Sequence, residues 1–400
     1  MQVRAVLRRE AGALWDGGKG KSLIIVAVTW GLLIGARMVL PVIIPYLQTA
    51  YGISLAIAGM LVSVVWFFGA LGQLPGGALA DRYPERTLMS ISVIVVAITL
   101  AFIIVAPTTV FLFIAAAIWG LAHSLYPISR ITFLSSTYAD RLGSALGVTM
   151  ATGDIGQTIL PPVATVIAVS LVWQAGLGFV VPLLLVAGFL IYFVVPSTGR
   201  SNSASLSGLV SNITDTFGEM RTPAIGLMTV ILFLFIFLWQ SFTAFYPTYL
   251  MSIKGFSPTV ASTIFGFFFA VGVIVKPLGG AAYDRIGMRA SLIGVLLPPV
   301  VGFGLLPFID SVWAILIITA LISIMLGSGA ITQSFLAESF PTDMQGTGLG
   351  VVRSTTAALG AGGPLVFGLV AEYGYFDQGY LALAAIMVVI IILTLRMPSE

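Results

Sequence analysis

The sequence predicts an all-α membrane protein with twelve transmembrane helices, arranged as two pseudo-symmetric halves of six. Three observations support this fold class. Of the 400 residues, 58% are apolar and only 8% are charged. Apolar runs long enough to cross a bilayer follow one another along the chain, and the second six runs repeat motifs of the first six.

Composition separates this chain from soluble proteins. A soluble domain carries about 25% charged residues, so a soluble fold with 8% could not cover its surface with polar groups. The net charge of +3 is too small to indicate nucleic-acid binding. The chain has no cysteine and a single histidine, His123, which excludes disulfides, thiol catalysis and a Cys or His metal cluster. We expect no metal, no cofactor, no nucleic-acid partner and no enzymatic activity.

Twelve apolar runs satisfy the length requirement, which is about 20 residues for a helix that crosses a bilayer. The first is about 25 residues long and contains Arg37, which indicates a retained helix and not a signal peptide. Segment 196–222 is rich in Ser, Gly and Asn and is predicted to be a cytoplasmic linker between the halves 1–195 and 223–400. The predicted spans, numbered 1 to 12, are 23–47, 54–79, 88–106, 109–136, 143–170, 176–195, 224–250, 258–283, 290–308, 312–337, 346–371 and 378–397.

Lysine and arginine are distributed asymmetrically between the predicted loops. With the N-terminus on the cytoplasmic side, the outside loops carry only Lys254. Because cytoplasmic loops are enriched in Lys and Arg, both termini are predicted to be cytoplasmic. We expect a multi-pass protein of the plasma membrane that contacts the lipid bilayer and works as a monomer. The inside segments carry Arg4, Arg8, Arg9, Lys19, Lys21, Arg82, Arg86, Arg141, Arg200, Arg221, Arg285, Arg289 and Arg396.

The two predicted halves repeat each other at an offset of 203 residues. The run Gly76–Arg82 returns as Gly279–Arg285 at this offset. Because each half has an even number of spans, the two halves have parallel topology, a known transporter architecture in which substrate binds near the membrane midplane between the repeats. Further matches at the same offset are Gly143 with Gly346, Gly147 with Gly350, and Pro161 with Pro364.

The most specific motif lies between predicted spans 2 and 3. From Gly77 to Arg86 it reads Gly-Ala-Leu-Ala-Asp-Arg-Tyr-Pro-Glu-Arg. This run resembles the signature Gly-x-Leu-x-Asp-Arg-x-Gly-Arg of the major facilitator superfamily, from which Pro84 and Glu85 depart, and the resemblance covers nearly the whole chain. It implies a secondary transporter that alternates between inward-open and outward-open states. It also implies gating roles, with a plain positive-inside loop as the alternative, for Asp81, Arg82, Asp284 and Arg285.

Four ionisable residues inside the predicted spans are functional candidates, because a charge at the bilayer centre costs about 2.5–3.5 kcal/mol. They are Arg37 in span 1, Arg130 in span 4, Asp154 in span 5 and Arg353 in span 11. Guanidinium groups suit bidentate recognition of carboxylate or phosphate. Three arginines against one aspartate therefore favour an anionic substrate.

Arg37 is followed by Pro41 and Pro45, which free two backbone carbonyls and predict a broken helix that lines a cavity. The superfamily's organic-anion and organophosphate branches, which include anion–cation symporters, carry an Arg at this place, and the resemblance implies a substrate role for Arg37. The alternative is a packing arginine paired with Asp154.

Predicted span 4 presents a polar and aromatic face. Residues Trp119, His123, Tyr126 and Arg130 follow one another at spacings of four, three and four, which places them on one side of a helix. Such residues can line a binding cavity, and core packing is the alternative for the aromatic residues. His123 is a candidate for proton coupling, with a hydrogen-bonded core histidine as the alternative.

Arg130 and Asp154 each lie 12 residues from the turn at Leu142, so an antiparallel hairpin places them at the same depth. We expect an ion pair between them, because each charge offsets the desolvation of the other. The pair is either purely structural or the site of proton coupling. In the second case protonation of Asp154 releases Arg130 for an anion.

Two further cations resemble positions of the oxalate–formate and monocarboxylate branch of the superfamily. The resemblance implies a substrate role for Arg353, and Lys276 occupies the place of another cation of that branch, although it could simply snorkel to the interface. On span 7, neutral hydrogen bonds from the second half are expected from Gln240, Thr243 and Tyr246.

The predicted function is therefore secondary transport of a small organic anion, a carboxylate by preference, coupled to a proton or a counter-anion. One alternative is proton-driven efflux of drugs or lipophilic cations. Efflux proteins of the superfamily usually carry an Arg and a Gln in span 4, where this chain has Ala116 and Trp119. They also carry a Gly-Pro pair in span 5, where this chain has Pro161 and Pro162 without the glycine. A non-transporting receptor or scaffold of the same fold is the other alternative.

Overall fold

The computed structural model describes residues 19–80, 82–197, 223–340 and 345–397. Within these ranges the chain is helical and contains no β-strand. The predicted gating residue Asp81 and residues 198–222 of the predicted linker 196–222 lie outside the described residues. So do five of the basic residues on which the predicted orientation rests, which are Arg4, Arg8, Arg9, Arg200 and Arg221.

Helical segments coincide with all twelve predicted spans, and the helices are numbered accordingly. In the first half they are α1 Lys19–Tyr51, α2 Leu55–Leu71 with Gln73–Ala80, α3 Glu85–Ile104, α4 Thr109–Thr137, α5 Leu142–Ser170, and α6 Trp173–Gly178 with Val180–Val194. In the second half they are α7 Pro223–Ser252, α8 258–286, α9 288–305, α10 Val312–Ser323 with Ser328–Ser339, α11 Gln345–Gly360 with Gly363–Glu372, and α12 Phe376–Leu395.

Across the described ranges, nine helices are long and apolar enough to cross a membrane. One of the nine, Pro258–Phe308, contains both α8 and α9, which meet at Gly287, where φ is 75° and ψ is 172°. The other two of the twelve are α2, which is divided into two shorter helices, and α5, which is 29 residues long. The chain is a multi-pass membrane protein, and the predicted all-α fold class is confirmed.

Helix α1 runs without interruption from Lys19 to Tyr51, with Pro41 and Pro45 inside it. The prediction that these prolines break the helix is therefore wrong. A proline removes one backbone donor from the helix, and the surrounding turns are buried on several sides, which keeps the chain helical across both positions. Leu40 and Ile44, for example, are both buried.

The chain divides into two compact units. Unit 1 comprises Met1–Val39 and Leu71–Ala204, and unit 2 comprises Leu40–Ala70 and Ser205–Glu400. The described residues of each unit are considered separately below.

Unit 1 is held together by close packing of its helices and by serine hydroxyls that bond to backbone carbonyls of neighbouring helices. On α3, Ser92 Oγ donates to the carbonyl of Ala122 at 2.7 Å, and Ser90 Oγ donates to the carbonyl of Gly188 at 2.8 Å. Both serines are buried. These bonds satisfy hydroxyls that would otherwise be costly in an apolar interior and join α3 to α4 and α6.

Unit 2 is built around an aromatic cluster. The ring of Phe242 on α7 lies 4.6 Å from Tyr246, 5.0 Å from Phe268 and 5.3 Å from Phe303, measured between ring centroids. Tyr380 of α12 stacks on Phe303 in the same cluster. Rings at these separations and in tilted or edge-to-face orientations pack favourably, so α7, α8, α9 and α12 share one core.

Candidate functional site

The polar face predicted for α4 is buried in unit 1. Trp119 and Tyr126 are fully buried, His123 is buried, and Arg130 is only 4% exposed. Arg130 lies seven residues before the end of α4. Burial of an arginine inside a membrane-spanning helix is energetically costly. The groups around Arg130 must therefore compensate its charge.

A tryptophan of α1 forms the platform of this cluster. The Arg130 Cζ lies over the Trp30 ring, 4.0 Å from its centroid. The rings of Tyr126 and His123 also stack on Trp30, each with its centroid 6.1 Å away. Sequence reasoning missed Trp30. Its signal was its position seven residues before Arg37, which is two helical turns and the same face of α1.

The guanidinium of Arg130 has one polar partner on α5. Its Nη1 donates to Thr149 Oγ1 at 3.2 Å, and Thr149 Oγ1 donates in turn to the carbonyl of Leu146 at 2.9 Å. Among the described residues, the buried Nε of Arg130 has no hydrogen-bond partner. The cation is therefore held on one side by an aromatic face and at one tip by a neutral hydroxyl.

The predicted ion pair between Arg130 and Asp154 does not form in the described structure. Asp154 Oδ1 instead accepts a hydrogen bond from Gln157 Nε2 at 3.2 Å. Depth along the hairpin is not sufficient for contact, because rotation about the helix axis also matters. Thr149 faces Arg130, and Asp154 lies five residues further on, which turns it by about 140° around α5.

Helices α1 and α4 run antiparallel. Lys19 Nζ donates to the carbonyl of Thr137, and Tyr126 OH donates to the carbonyl of Val26 at 2.8 Å. Arg37 lies on α1 seven residues after Trp30 and is partly buried.

Glycines bring α5 close to α1. A Cβ on Gly31 would lie 2.6 Å from the carbonyl oxygen of Thr152, and a Cβ on Gly156 would overlap the carbonyl oxygen of Gly31. Thr152 Oγ1 adds a hydrogen bond to the carbonyl of Ala27 at 2.7 Å. This packing sets the position of Thr149. Gly153 lies against the indole nitrogen of Trp30, where a Cβ would be only 2.7 Å away.

The cluster offers unused polar atoms besides the Nε of Arg130. Among the described residues, the buried Nε1 of Trp119 and Nδ1 of His123 have no hydrogen-bond partner. Buried polar groups are usually paired in native proteins. The face of α4 thus presents buried polar atoms that the described protein groups leave without a partner.

In unit 2, Arg353 lies on α11 and is exposed. Its Nη1 donates to Gln333 Oε1 on α10 at 3.3 Å. Gln333 is the repeat counterpart of Arg130, because the two positions differ by 203 residues. In unit 1 the cation is on α4 and its neutral partner on α5, whereas in unit 2 the cation is on α11 and its neutral partner on α10. The substrate role of Arg353 stays a prediction.

The three neutral residues predicted on α7 are buried in unit 2. Tyr246 OH shares a hydrogen bond with Thr319 Oγ1 at 2.5 Å, and Thr243 Oγ1 donates to the carbonyl of Trp239 at 2.8 Å. Both hydroxyls are thus engaged inside unit 2. Within the described part of the chain, Gln240 Oε1 is buried without a hydrogen-bond partner. Substrate contact by these three residues remains a prediction.

The predicted gating residues are described in part. Arg82, Asp284 and Arg285 are all exposed, and Asp81 lies outside the described residues. Tyr283, which precedes the second copy of the Asp-Arg pair, donates its hydroxyl to Glu338 Oε2 on α10 at 2.5 Å. Gating by these residues stays a prediction.

The twelve helical segments and the cationic cluster buried between α1, α4 and α5 are those of a polytopic membrane protein with a charged group inside its spans. Residues 25–364 match the family model described as the Major Facilitator Superfamily, so the chain belongs to that family. The resemblance read from the loop motif is therefore confirmed.

Three similar proteins span most of the chain. A probable nitrate/nitrite transporter of Mycobacterium tuberculosis, NarK2, is 28% identical over 84% of this chain and 85% of its own length. A probable sulfoacetate transporter of Cupriavidus necator, SauU, is 22% identical over 88% of this chain and 87% of its own. The fosmidomycin resistance protein of Escherichia coli is 24% identical over 90% of this chain and 88% of its own.

Solved structures show the same fold. The nucleoside transporter NupG matches with a TM-score of 0.78 at 16% identity, covering 94% of this chain and 99% of that chain. A bacterial homologue of the human lysosomal transporter Spinster, in an inward-facing and occupied conformation, matches with a TM-score of 0.77 at 15% identity, covering 94% and 95%. At these identities the likeness concerns the fold alone.

Proposed function

We propose that this member of the superfamily transports a small anion, a carboxylate by preference, and that Arg130 is its principal cationic ligand. Arg37 assists from α1. The observation that carries the proposal is the state of Arg130, which is buried in a membrane-spanning helix, stacked on Trp30, and held by a neutral hydroxyl and not by a carboxylate.

The energetics of that state favour an anionic ligand. A charged side chain at membrane depth costs about 2.5–3.5 kcal/mol on insertion scales. Stacking on an aromatic ring returns about 0.5–2 kcal/mol, and a hydrogen bond to a neutral hydroxyl returns about 1 kcal/mol. An anion that binds the unpaired edge of Arg130 completes the compensation. The burial cost of Arg130 is therefore offset when an anion is bound and only partly offset when none is bound.

The relatives point in the same direction. Two of the three are named as transporters of anions, nitrate or nitrite in one case and sulfoacetate in the other. We extend the proposal to a monomer in the plasma membrane with cytoplasmic termini. A proton or a counter-anion is the coupling ion, and Asp154 and His123 are the candidate proton carriers. Arg353 in unit 2 is a second candidate ligand.

The test starts with thermal unfolding of the detergent-purified protein in the presence of formate, acetate, oxalate, nitrate, an organophosphate and tetraphenylphosphonium. A ligand at 100 times its dissociation constant should stabilise the fold by about 2.7 kcal/mol. We expect stabilisation by small anions, lost in Arg130→Ala and kept in the matched control Arg396→Ala at the end of α12. Uptake of the same anion into proteoliposomes should follow the same order. Equal stabilisation of wild type and Arg130→Ala would refute the site.

Drug efflux is the second candidate function. It is favoured by the fosmidomycin resistance relative. The same screen separates the two functions. Stabilisation by tetraphenylphosphonium alone would support efflux and make Arg130 a structural residue.

A further inference from the structure

We infer that Arg130 receives its anion side-on, through Nε and Nη2, and that Trp30 is the positioning residue that holds the guanidinium in this pose. The site then selects anions that carry two oxygens on one central atom, such as carboxylates, nitrate or sulfonates. The inference rests on the proposed anion transport and specifies its chemistry.

The first step concerns which nitrogens of Arg130 are already used. A guanidinium presents its five N–H donors in a fixed planar fork. Nη1 donates to Thr149 Oγ1, and Thr149 is itself fixed by its bond to the carbonyl of Leu146. Within the described residues, Nε is buried and has no hydrogen-bond partner. The edge formed by Nε and Nη2 is therefore the one left for a ligand, and the outer tip, formed by Nη1 and Nη2, is partly occupied.

The second step concerns the plane of the guanidinium. Trp30 lies against it with the ring centroid 4.0 Å from Cζ. Trp30 is in turn stacked with Tyr126 at an interplanar angle of 9°, and the Tyr126 hydroxyl is anchored to the carbonyl of Val26. Gly153 leaves room beside the indole nitrogen where a Cβ would not fit without a shift. The indole is thus confined, and through its face it confines the guanidinium.

The third step concerns the ligand that fits this edge. The Nε–H and Nη2–H bonds of one edge point in the same direction, so they match two oxygens of one carboxylate-like group and form two parallel charge-assisted hydrogen bonds. A halide has a single centre, so the two parallel N–H bonds cannot both point straight at it, and its contacts with this edge are weaker than those of paired oxygens. Lysine has no planar edge and binds as a point charge. Selectivity for paired oxygens should therefore require both the arginine and its orientation.

The experiment measures dissociation constants of the full-length detergent-purified protein for two groups of anions. The paired-oxygen group is nitrate, formate, acetate and methanesulfonate, and the single-centre group is chloride and bromide. We expect the wild type to bind at least one paired-oxygen anion about tenfold or more tighter than either halide, and Arg130→Lys to lose that preference. Comparison within the first group distinguishes carboxylate, nitrate and sulfonate.

Substitution of Trp30 tests the positioning role without a change of charge. Trp30→Leu removes the aromatic face and should weaken paired-oxygen binding about tenfold with little change for halides. Trp30→Phe keeps a face and should retain most of the preference, and it also serves if Trp30→Leu does not fold. A wild type that binds a halide as tightly as its best paired-oxygen anion would overturn the inference and leave anion transport standing. The inference would also be overturned if Trp30→Phe lowered the affinity for halides as much as the affinity for paired-oxygen anions. Absence of any anion binding by the wild type would refute the proposed function itself.

Discussion

The guanidinium of Arg130 on α4 lies 4.0 Å from the centroid of the Trp30 ring on α1, and its Nη1 reaches Thr149 on α5. One side chain therefore joins three helices of unit 1. Because Arg130 is buried and its Nε has no partner among the described residues, the same side chain is both a packing element and the ligand group that we propose. A change in any of the three residues should be visible in anion binding.

The hydroxyl of Thr149 gives the first prediction. Thr149→Val keeps the shape of the side chain and removes the acceptor for Arg130 Nη1. A hydrogen bond of this kind contributes about 1 kcal/mol, so we expect anion affinity to fall about fivefold as the guanidinium loses its orientation. Titration of the purified variant with the stabilising anion measures the effect.

Thr158→Val is the matched control on the same helix, because within the described part of the chain the Thr158 hydroxyl donates only to the backbone carbonyl of Asp154. This variant should bind the anion as the wild type does. Equal losses in Thr149→Val and Thr158→Val would show that Thr149 does not act through Arg130.

The close approach of α1 and α5 gives the second prediction. A Cβ at position 156 would collide with the backbone carbonyl of Gly31, which cannot move without displacing α1. Gly156→Ala should therefore lower the free energy of unfolding by about 1–3 kcal/mol, the usual cost of overpacking. Thermal unfolding in detergent measures it.

Gly147→Ala on α5 is the control for that variant. A Cβ at this position meets nothing within 4 Å, and alanine is favoured over glycine in a helix by up to about 1 kcal/mol. We expect unchanged or slightly higher stability. Destabilisation by Gly147→Ala to the same extent as by Gly156→Ala would contradict the packing argument.

The junction of α8 and α9 gives the third prediction. Gly287 has φ 75° and ψ 172°, a backbone region that essentially only glycine adopts. Gly287→Ala should cost about 1–3 kcal/mol of stability, whereas Gly294→Ala, in open space within α9, should be tolerated. Comparison of their melting temperatures decides the point, and equal melting temperatures would rule out a strained junction.

A carboxylate at the start of α2 gives the fourth prediction. Within unit 2, Glu372 Oε2 accepts a hydrogen bond from the backbone nitrogen of Ala56 at 2.9 Å, and Ser63 Oγ accepts from the backbone nitrogen of Leu365 at 3.1 Å. A negative charge at a helix N-terminus also interacts favourably with the helix dipole. Glu372→Ala should therefore lower the free energy of unfolding by about 1–2 kcal/mol.

Glu372→Gln separates the two contributions, because the amide keeps an acceptor oxygen and loses the charge. We expect it to fall between the wild type and Glu372→Ala in thermal unfolding. A Glu372→Ala variant as stable as the wild type would show that this contact between α11 and α2 contributes nothing measurable.

Much of the fold was accessible from the sequence, because bilayer thickness imposes a minimum apolar length on every span. All twelve apolar runs coincide with helices of the described residues. The predicted break in α1 was wrong, since the helix continues across Pro41 and Pro45. A local rule about proline cannot take account of the packing that surrounds each turn.

The candidate site was accessible only in part. The spacing of Trp119, His123, Tyr126 and Arg130 placed them on α4, where all four are buried. The same reasoning paired Arg130 with the wrong residue of α5. It estimated depth from the distance to the turn at Leu142, and it had no information about rotation around the helix axis.

By itself the sequence determined that this chain is a helical membrane protein with cations inside its spans, because hydropathy and charge are properties of residues taken one at a time. Only the tertiary structure decided which side chains meet. Contact between Trp30 and Arg130, and the choice of Thr149 over Asp154, depend on how three helices are rotated and how closely their glycines let them approach. Those rotations follow from the sum of many packing contacts between distant segments, which no single stretch of sequence encodes.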